Sequence, residues 1–177
     1  MALATETDFD PVLNVAQAPA EGTGGHAPWG GHWKVLTPRM RELGNGLGVI
    51  QNTLPPGSIG CPFLWHARED EIFFVHSGRG VLRYGDMVRE ISVGDCISCP
   101  AGSRVAHQIA NPFDEDLVYL AIGPYDPHEV CGYPDNGKVF VRAIGQIGRL
   151  DKRPYMDGEP DPPLIFGLAA PDRDLSD

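Results

Sequence analysis

Several things are missing from this sequence, and each absence excludes something. No stretch approaches the roughly 18 consecutive apolar residues of a membrane-spanning helix, so no span is expected. The opening "MALATETDFDPVLNVAQAPA" has no basic start and no apolar core. It therefore does not read as a secretory signal, and a cytoplasmic location is the expectation. Positive charge is scarce: 14 Lys and Arg stand against 24 Asp and Glu, a formal net charge of −10. Residues 1–30 carry four acids and no Lys or Arg, and residues 151–177 carry seven acids against Lys152, Arg153 and Arg173. The middle, 31–150, holds 13 acids and 11 bases and is nearly balanced. No basic face is concentrated anywhere, so neither nucleic acid nor an anionic membrane is expected as a partner.

Helical periodicity is also missing. No segment within 31–150 sustains a 3.6-residue apolar repeat over three turns, and the best helix candidate is the short "PRMRELG" at 38–44. There are only four cysteines, Cys61, Cys96, Cys99 and Cys131. In a chain expected to be cytoplasmic they do not make a disulfide framework. Cys96 and Cys99 form a C-x-x-C, but "GDCISCP" reads as a strand, where positions three apart face opposite ways. They are read as buried or half-buried structural thiols rather than a zinc knuckle.

Turn residues are abundant, with 22 Gly and 17 Pro among 177 residues. Short apolar runs such as "EIFFVHSG", "GVLRYGD", "CISCPAG", "VAHQIANP" and "LVYLAIGP" alternate with turn signals every 8–12 residues. This is the pattern of an all-β sandwich or barrel. Residues 1–30 read as a flexible N-terminal arm with Trp29 as an anchor, 31–145 as the domain, and 146–177 as an acidic, Pro-rich C-terminal tail. The apolar "LIFGLAA" at 164–170 would leave that tail partly docked, on its own domain or on a neighbouring subunit. His26 and His32 lack a ligand-spaced partner and read as surface residues, as does His128.

Two blocks carry the chemistry. The first is Gly60-x5-His66-x4-Glu71-x6-Gly78, and the second is Gly94-x5-Pro100-x-Gly102-x4-His107-x3-Asn111. Side chains alternate along a strand. Leu64 and His66 therefore share a face, as do Glu71, Phe73 and Val75, and Val105, His107, Ile109 and Asn111. If all three faces look inward, His66, Glu71 and His107 converge in an apolar cavity. Two imidazoles and a carboxylate suit Fe(II), Mn, Ni or Zn and leave positions open. His76 is five residues from Glu71 and so faces outward with Ile72 and Phe74.

In these blocks the chain resembles the cupin superfamily over roughly residues 45–125. The second block matches with two extra residues before His107, while the first lacks one histidine. If His66 is the family's second histidine, its spacing to Glu71 fits and the missing ligand falls on Leu64. If it is the first, the missing ligand falls on Arg68, too close to Glu71. The resemblance implies a single jelly-roll barrel (a double-stranded β-helix), a divalent metal ion on His66, Glu71 and His107, and a homodimer. Residues 128–141, "HEVCGYPDNGKVFV", resemble the segment that follows the barrel in a group of small bacterial cupins.

Around that centre, Leu64, Phe73 and Arg83 are candidates for the substrate pocket. Tyr119, Arg104 and Gln51 are candidates for catalysis, with Thr53 and Arg68 nearby. The expected ligand is a small polar metabolite. The chemistry is either a metal-dependent isomerase or oxygenase, of sugar-phosphate isomerase or dioxygenase type, or non-catalytic binding of a sugar or other metabolite over a vestigial metal site. A sensor or structural role through an outer face is the third option.

Overall fold

The computed structural model describes residues 10–22, 28–40 and 46–168. Within them the chain is almost wholly β. The strands in chain order are β1 (Glu21–Gly22), β2 (His32–Val35), β3 (Gly48–Leu54), β4 (Ser58–Ile59), β5 (Trp65–His66), β6 (Glu71–Ser77) and β7 (Arg79–Tyr84). They continue with β8 (Met87–Ser92), β9 (Cys96–Cys99), β10 (His107–Asn111), β11 (Leu117–Gly123), β12 (Val130–Tyr133), β13 (Lys138–Val141) and β14 (Gln146–Arg149). A 3-10 turn, Arg142–Ile144, follows β13, and a short helix, α1 (Leu164–Leu168), lies within the tail.

The strands form three antiparallel sheets. The first runs β1-β2-β3-β11-β6-β9, the second β4-β10-β7-β8, and the third β14-β13-β12-β5. Alternation explains how the first two meet. On β6, Phe73 and Val75 are buried while Ile72, Phe74 and His76 are exposed. On β10, His107, Ile109 and Asn111 are buried. The inner face of the first sheet (Leu54, Phe73, Val75, Ile97, Leu117, Tyr119) shares one buried cluster with Leu82, Ile91 and Ile109 of the second. Burying that many large apolar side chains, at about 1.5–3 kcal/mol each, is the main force holding the layers together. This is the antiparallel, all-β arrangement that the resemblance implied.

One turn shows why glycine is fixed where the motif has it. Gly78, between β6 and β7, has φ +74°, and a Cβ there would overlap the carbonyl oxygen of Asp116. An L side chain is both strained and blocked at that position.

The third sheet brings residues from beyond the two-layer core back to it. β12 pairs with β5, Cys131 opposite His66 and Gly132 opposite Trp65. β14 pairs with β13, so the sheet runs a few residues past the expected boundary at 145. Beyond it, the described tail residues do not dock on their own chain, which leaves a neighbouring subunit as the surface the expectation named. Every residue from 151 to 168 is exposed, and Leu164, Ile165, Phe166 and Leu168 of α1 are each more than half exposed. A five-residue helix buries no face on this chain. Of the expected helix at 38–44, residues 41–44 lie outside the described residues, as does His26. Cys96 and Cys99 do face opposite ways, but Cys96 is exposed rather than packed. No helix among the described residues is long and apolar enough to cross a membrane.

Candidate metal centre

β5 is only two residues long, yet it is held from both sides. On one side it pairs with β12. On the other, the preceding Leu64 bridges to the start of β10: the His107 N–H donates to the Leu64 carbonyl at 2.8 Å, and the Leu64 N–H to the His107 carbonyl at 3.2 Å. This stitch sets His66 beside His107, with ring centroids 5.8 Å apart and planes within 20° of parallel. Glu71 begins β6 and reaches both rings. His107 Nε2 lies 2.8 Å and His66 Nε2 3.2 Å from the same oxygen, Glu71 Oε2. The three donor atoms all lie within 4.8 Å of one another.

The centre is walled on the inside and open toward Glu71. The side chains of His107 and His66 are 4% and 11% exposed, and that of Glu71 is 27% exposed. Leu64 is buried, and the Phe73 ring lies 5.5 Å from that of His107. Tyr119 meets Phe73 edge-on at 5.8 Å.

Charge inside this wall is strongly coupled. Burial pushes the Glu71 pKa up, but hydrogen bonds from His107 and His66 outweigh it and bring it down from 4.5 to about 2. Burial also works against the His66 imidazolium, but hydrogen bonds with Cys131 and then Glu71 outweigh it and lift its pKa from 6.5 to about 10. The Cys61 and Cys99 thiols are pushed up to about 12, by burial first and by the negative charge of Glu71 second. The Tyr119 phenol is likewise driven well above its usual range, by burial and then by Cys61 and Glu71.

Behind His66 stands a group of residues that the motif does not announce. Its Nδ1 faces the Cys131 sulfur at 3.6 Å, Glu69 Oε2 at 3.6 Å and Glu129 Oε1 at 3.9 Å. Glu129 is fully buried and accepts N–H groups from Ala67 (2.7 Å) and Arg68 (3.0 Å), one on each oxygen. Glu69 is paired with both terminal nitrogens of the Arg142 guanidinium and accepts the Asp126 N–H at 2.6 Å. The signal in the sequence was faint: in "HEVCGY", Glu129 and Cys131 alternate as on a strand, but their target lies more than 60 residues away.

The expected site residues divide in two. His66, Glu71, His107, Leu64 and Phe73 lie together, with Tyr119 behind Phe73. Gln51 does not join them. On β3 it is Asn52 that lies opposite Tyr119, while Gln51 pairs with Leu120, the neighbour of exposed Phe74, so Gln51 and Thr53 are on the outer face. Arg83 is also turned away. It alternates with buried Leu82, holds Asp135 through two nitrogens at 2.7 and 3.0 Å, and covers the Phe63 ring at 3.5 Å. Arg104 is exposed in the turn before β10, and Arg68 pairs with Asp126 at 2.6 Å. His76 is exposed on β6 and His128 in a loop.

The donor set fits a divalent cation of the borderline class. Two imidazole nitrogens and a carboxylate converge from three different strands, a combination suited to Fe, Mn, Ni or Zn. His107 Nδ1 is buried without a hydrogen-bond partner among the described residues, so this ring's polar interaction is made at Nε2, on the side of the centre. His66 Nδ1, Glu129 and Cys131 form a second convergent set. Its carboxylate, however, is already committed to two backbone N–H groups.

The model for the cupin domain matches residues 52–123, a span that includes Leu64, His66, Glu71 and His107. No curated protein sequence matches the chain. Among solved structures, it is similar to a candidate sugar phosphate isomerase from Acidithiobacillus ferrooxidans, at 25% identity over 70% of this chain and 83% of that one, with a TM-score of 0.59. It is similar to a sugar phosphate isomerase from a cupin superfamily of Silicibacter pomeroyi, at 24% identity over 81% and 96%, with a TM-score of 0.67. It is also similar to a predicted oxalate decarboxylase from Thermotoga maritima, at 25% identity over 65% and 99%, with a TM-score of 0.55. The sheets, the convergent His and Glu side chains and these matches agree: the chain has a cupin domain and a cupin fold.

Proposed function

We propose that this protein is a metal-dependent cupin acting on a small, oxygen-rich metabolite, with a sugar phosphate as the favoured class. The observation that carries the reading is the convergence of His66 Nε2, Glu71 Oε2 and His107 Nε2 from β5, β6 and β10. A divalent cation held by His66, Glu71 and His107 would supply Lewis-acid chemistry toward a carbonyl or hydroxyl oxygen of the substrate. The chain's own residues do the rest. Leu64 and Phe73 wall off water on the inner side, so the substrate approaches past the exposed edge of Glu71. Tyr119 stays protonated and serves as a hydrogen-bond donor or packing group, never as a base. The ligand set also suits an oxygenase. Isomerisation is preferred because the candidate sugar phosphate isomerase is similar over most of both chains.

A second reading has its own support. Leu64 is buried against His107, at the position where the resemblance called for a ligand. On that reading the protein binds a metabolite without turning it over. The two separate cleanly. Protein loaded in turn with Fe(II), Mn, Ni and Zn is incubated with aldose and ketose phosphates in D2O and followed by proton NMR. Deuterium incorporation beside the carbonyl, abolished by EDTA and in Glu71→Gln, supports isomerisation. Saturable binding of the sugar phosphates with neither exchange nor aldose–ketose interconversion under any metal would favour the non-catalytic reading over isomerisation.

A further inference from the structure

We infer that Cys131 is a positioning residue for the metal centre: its sulfur takes the Nδ1–H of His66 and so aims Nε2 at the cation. The inference rests on the metal-binding reading above and deepens it. A histidine bound to metal through one nitrogen donates through the other, and that second bond sets both tautomer and ring orientation.

Among the described residues three groups face His66 Nδ1, and two are otherwise engaged. Glu69 is held by Arg142 and the Asp126 N–H, and its oxygen stands 3.6 Å from Nδ1, beyond a good N–H···O bond. Glu129 spends both oxygens on the backbone of 67 and 68 and stands 3.9 Å away. Cys131 Sγ, also at 3.6 Å, is within reach, because sulfur is larger than oxygen and its hydrogen bonds are longer. The register supports the assignment. Cys131 is the direct cross-strand partner of His66, and the pair next to it, Gly132 opposite Trp65, is close enough that a Cβ on Gly132 would overlap the indole. β12 therefore lies hard against β5 and cannot slide. At 3% exposure Cys131 is out of reach of solvent. His107, by contrast, has no hydrogen-bond partner on Nδ1 among the described residues, so the two imidazoles are inequivalent.

The rival assignment makes Cys131 itself a ligand, with His66 Nδ1 and Glu129 completing a second cation site. Glu129 argues against it, since each of its oxygens already accepts a backbone N–H inside a buried wall and is oriented by it.

The test uses the full chain and its Cys131→Val, Cys131→Ala and Cys131→Ser variants. Zinc affinity is measured by competition with a chromophoric chelator. Cobalt(II) spectra report on sulfur ligation, NMR on the His66 Nδ1–H of the zinc form, and circular dichroism on folding. Val keeps the volume without the acceptor, and Ser keeps an acceptor. The expected result is a loss of zinc affinity of roughly 10–100-fold in the Val variant. The slowly exchanging Nδ1–H signal disappears with it, and Ser restores both in part. Zinc affinity within about twofold of wild type in a folded Val or Ala variant overturns the inference. So does a sulfur-to-cobalt charge-transfer band in the wild type that Cys131→Ser removes, because Cys131 is then a ligand. Failure of the wild type to bind zinc, cobalt, Fe(II), Mn or Ni is a different outcome: it overturns the metal reading itself and takes this inference with it.

Discussion

His66 and Glu71 titrate in opposite directions because each faces the other's charge. Without metal, the His66 pKa stands near 10 against 6.5 for the free side chain, and that of Glu71 near 2 against 4.5. The stability His66 contributes is fully present below pH 6.5 and is lost as pH rises through about 10. The contribution of Glu71 is fully present above pH 4.5 and is lost as pH falls toward 2. Urea midpoints measured in EDTA should therefore be highest between pH 4.5 and 6.5 and fall on either side, and replacing His66 with Gln should remove the alkaline fall. A midpoint that climbs steadily from pH 6.5 to 10 would contradict the coupling. Metal reverses the demand on His66, because the cation needs the unprotonated Nε2. Loading at pH 7 should thus release a proton, measurable by calorimetry in buffers of different ionisation enthalpy. The identities of His66, Glu71 and His107 were legible from spacing and strand parity. Glu69, Glu129 and Cys131 were not, because nothing local links positions 66 and 131.

At the scale of elements, the strand that carries His66 is among the shortest. β5 has two residues and depends on β12 behind it and on the Leu64–His107 bridge in front. The loop after β5 is braced by the Glu69–Arg142 pair, which ties it to the 3-10 turn after β13. Removing one partner of a buried pair leaves an uncompensated charge. Arg142→Met should cost about 3–5 kcal/mol in urea unfolding and weaken metal binding as His66 loses its support. A loss under about 1 kcal/mol, in the range of exposed pairs, would mean that the pair is a surface ornament. Strand existence was readable along most of the chain because turn residues punctuate apolar runs. Facing was readable only where the alternation is clean. In "EIFFVHS" the neighbours and spacing fixed Glu71, Phe73 and Val75 inward. In "GVIQNTL" each face mixes apolar and polar residues, so the pattern does not say which face is inner, and it is Asn52 and Leu54 rather than the candidates Gln51 and Thr53 that face inward. In "GVLRY" apolar residues occur on both faces, so the pattern does not show that Arg83 points away from buried Leu82 and toward Asp135.

The described residues form a two-layer β core, a third sheet wrapped onto it and a tail segment, 151–168, that contributes no buried surface. The tail's acidity is part of the reason: Asp151, Asp157, Glu159 and Asp161 are interleaved with prolines, which favours extended, solvated chain over packing. A chain ending at Leu150 should therefore unfold at the same urea concentration as the full chain, within error, and a clear drop would show that the tail packs in solution. Overall class followed from composition and turn spacing, whereas the exposed tail helix did not, since an apolar "LIFGL" carries no mark of whether a surface receives it. The central claim concerns the whole chain and is read most directly as metal stoichiometry. Untagged protein, stripped and reloaded with Fe(II), Mn, Ni or Zn and then desalted, is analysed for metal per chain beside His66→Ala, Glu71→Ala and His107→Ala. The account predicts about one equivalent of one of these metals in the wild type, and its loss in each variant while the fold is retained. A wild type that retains none of the four, or a folded His107→Ala that retains a full equivalent, would contradict it.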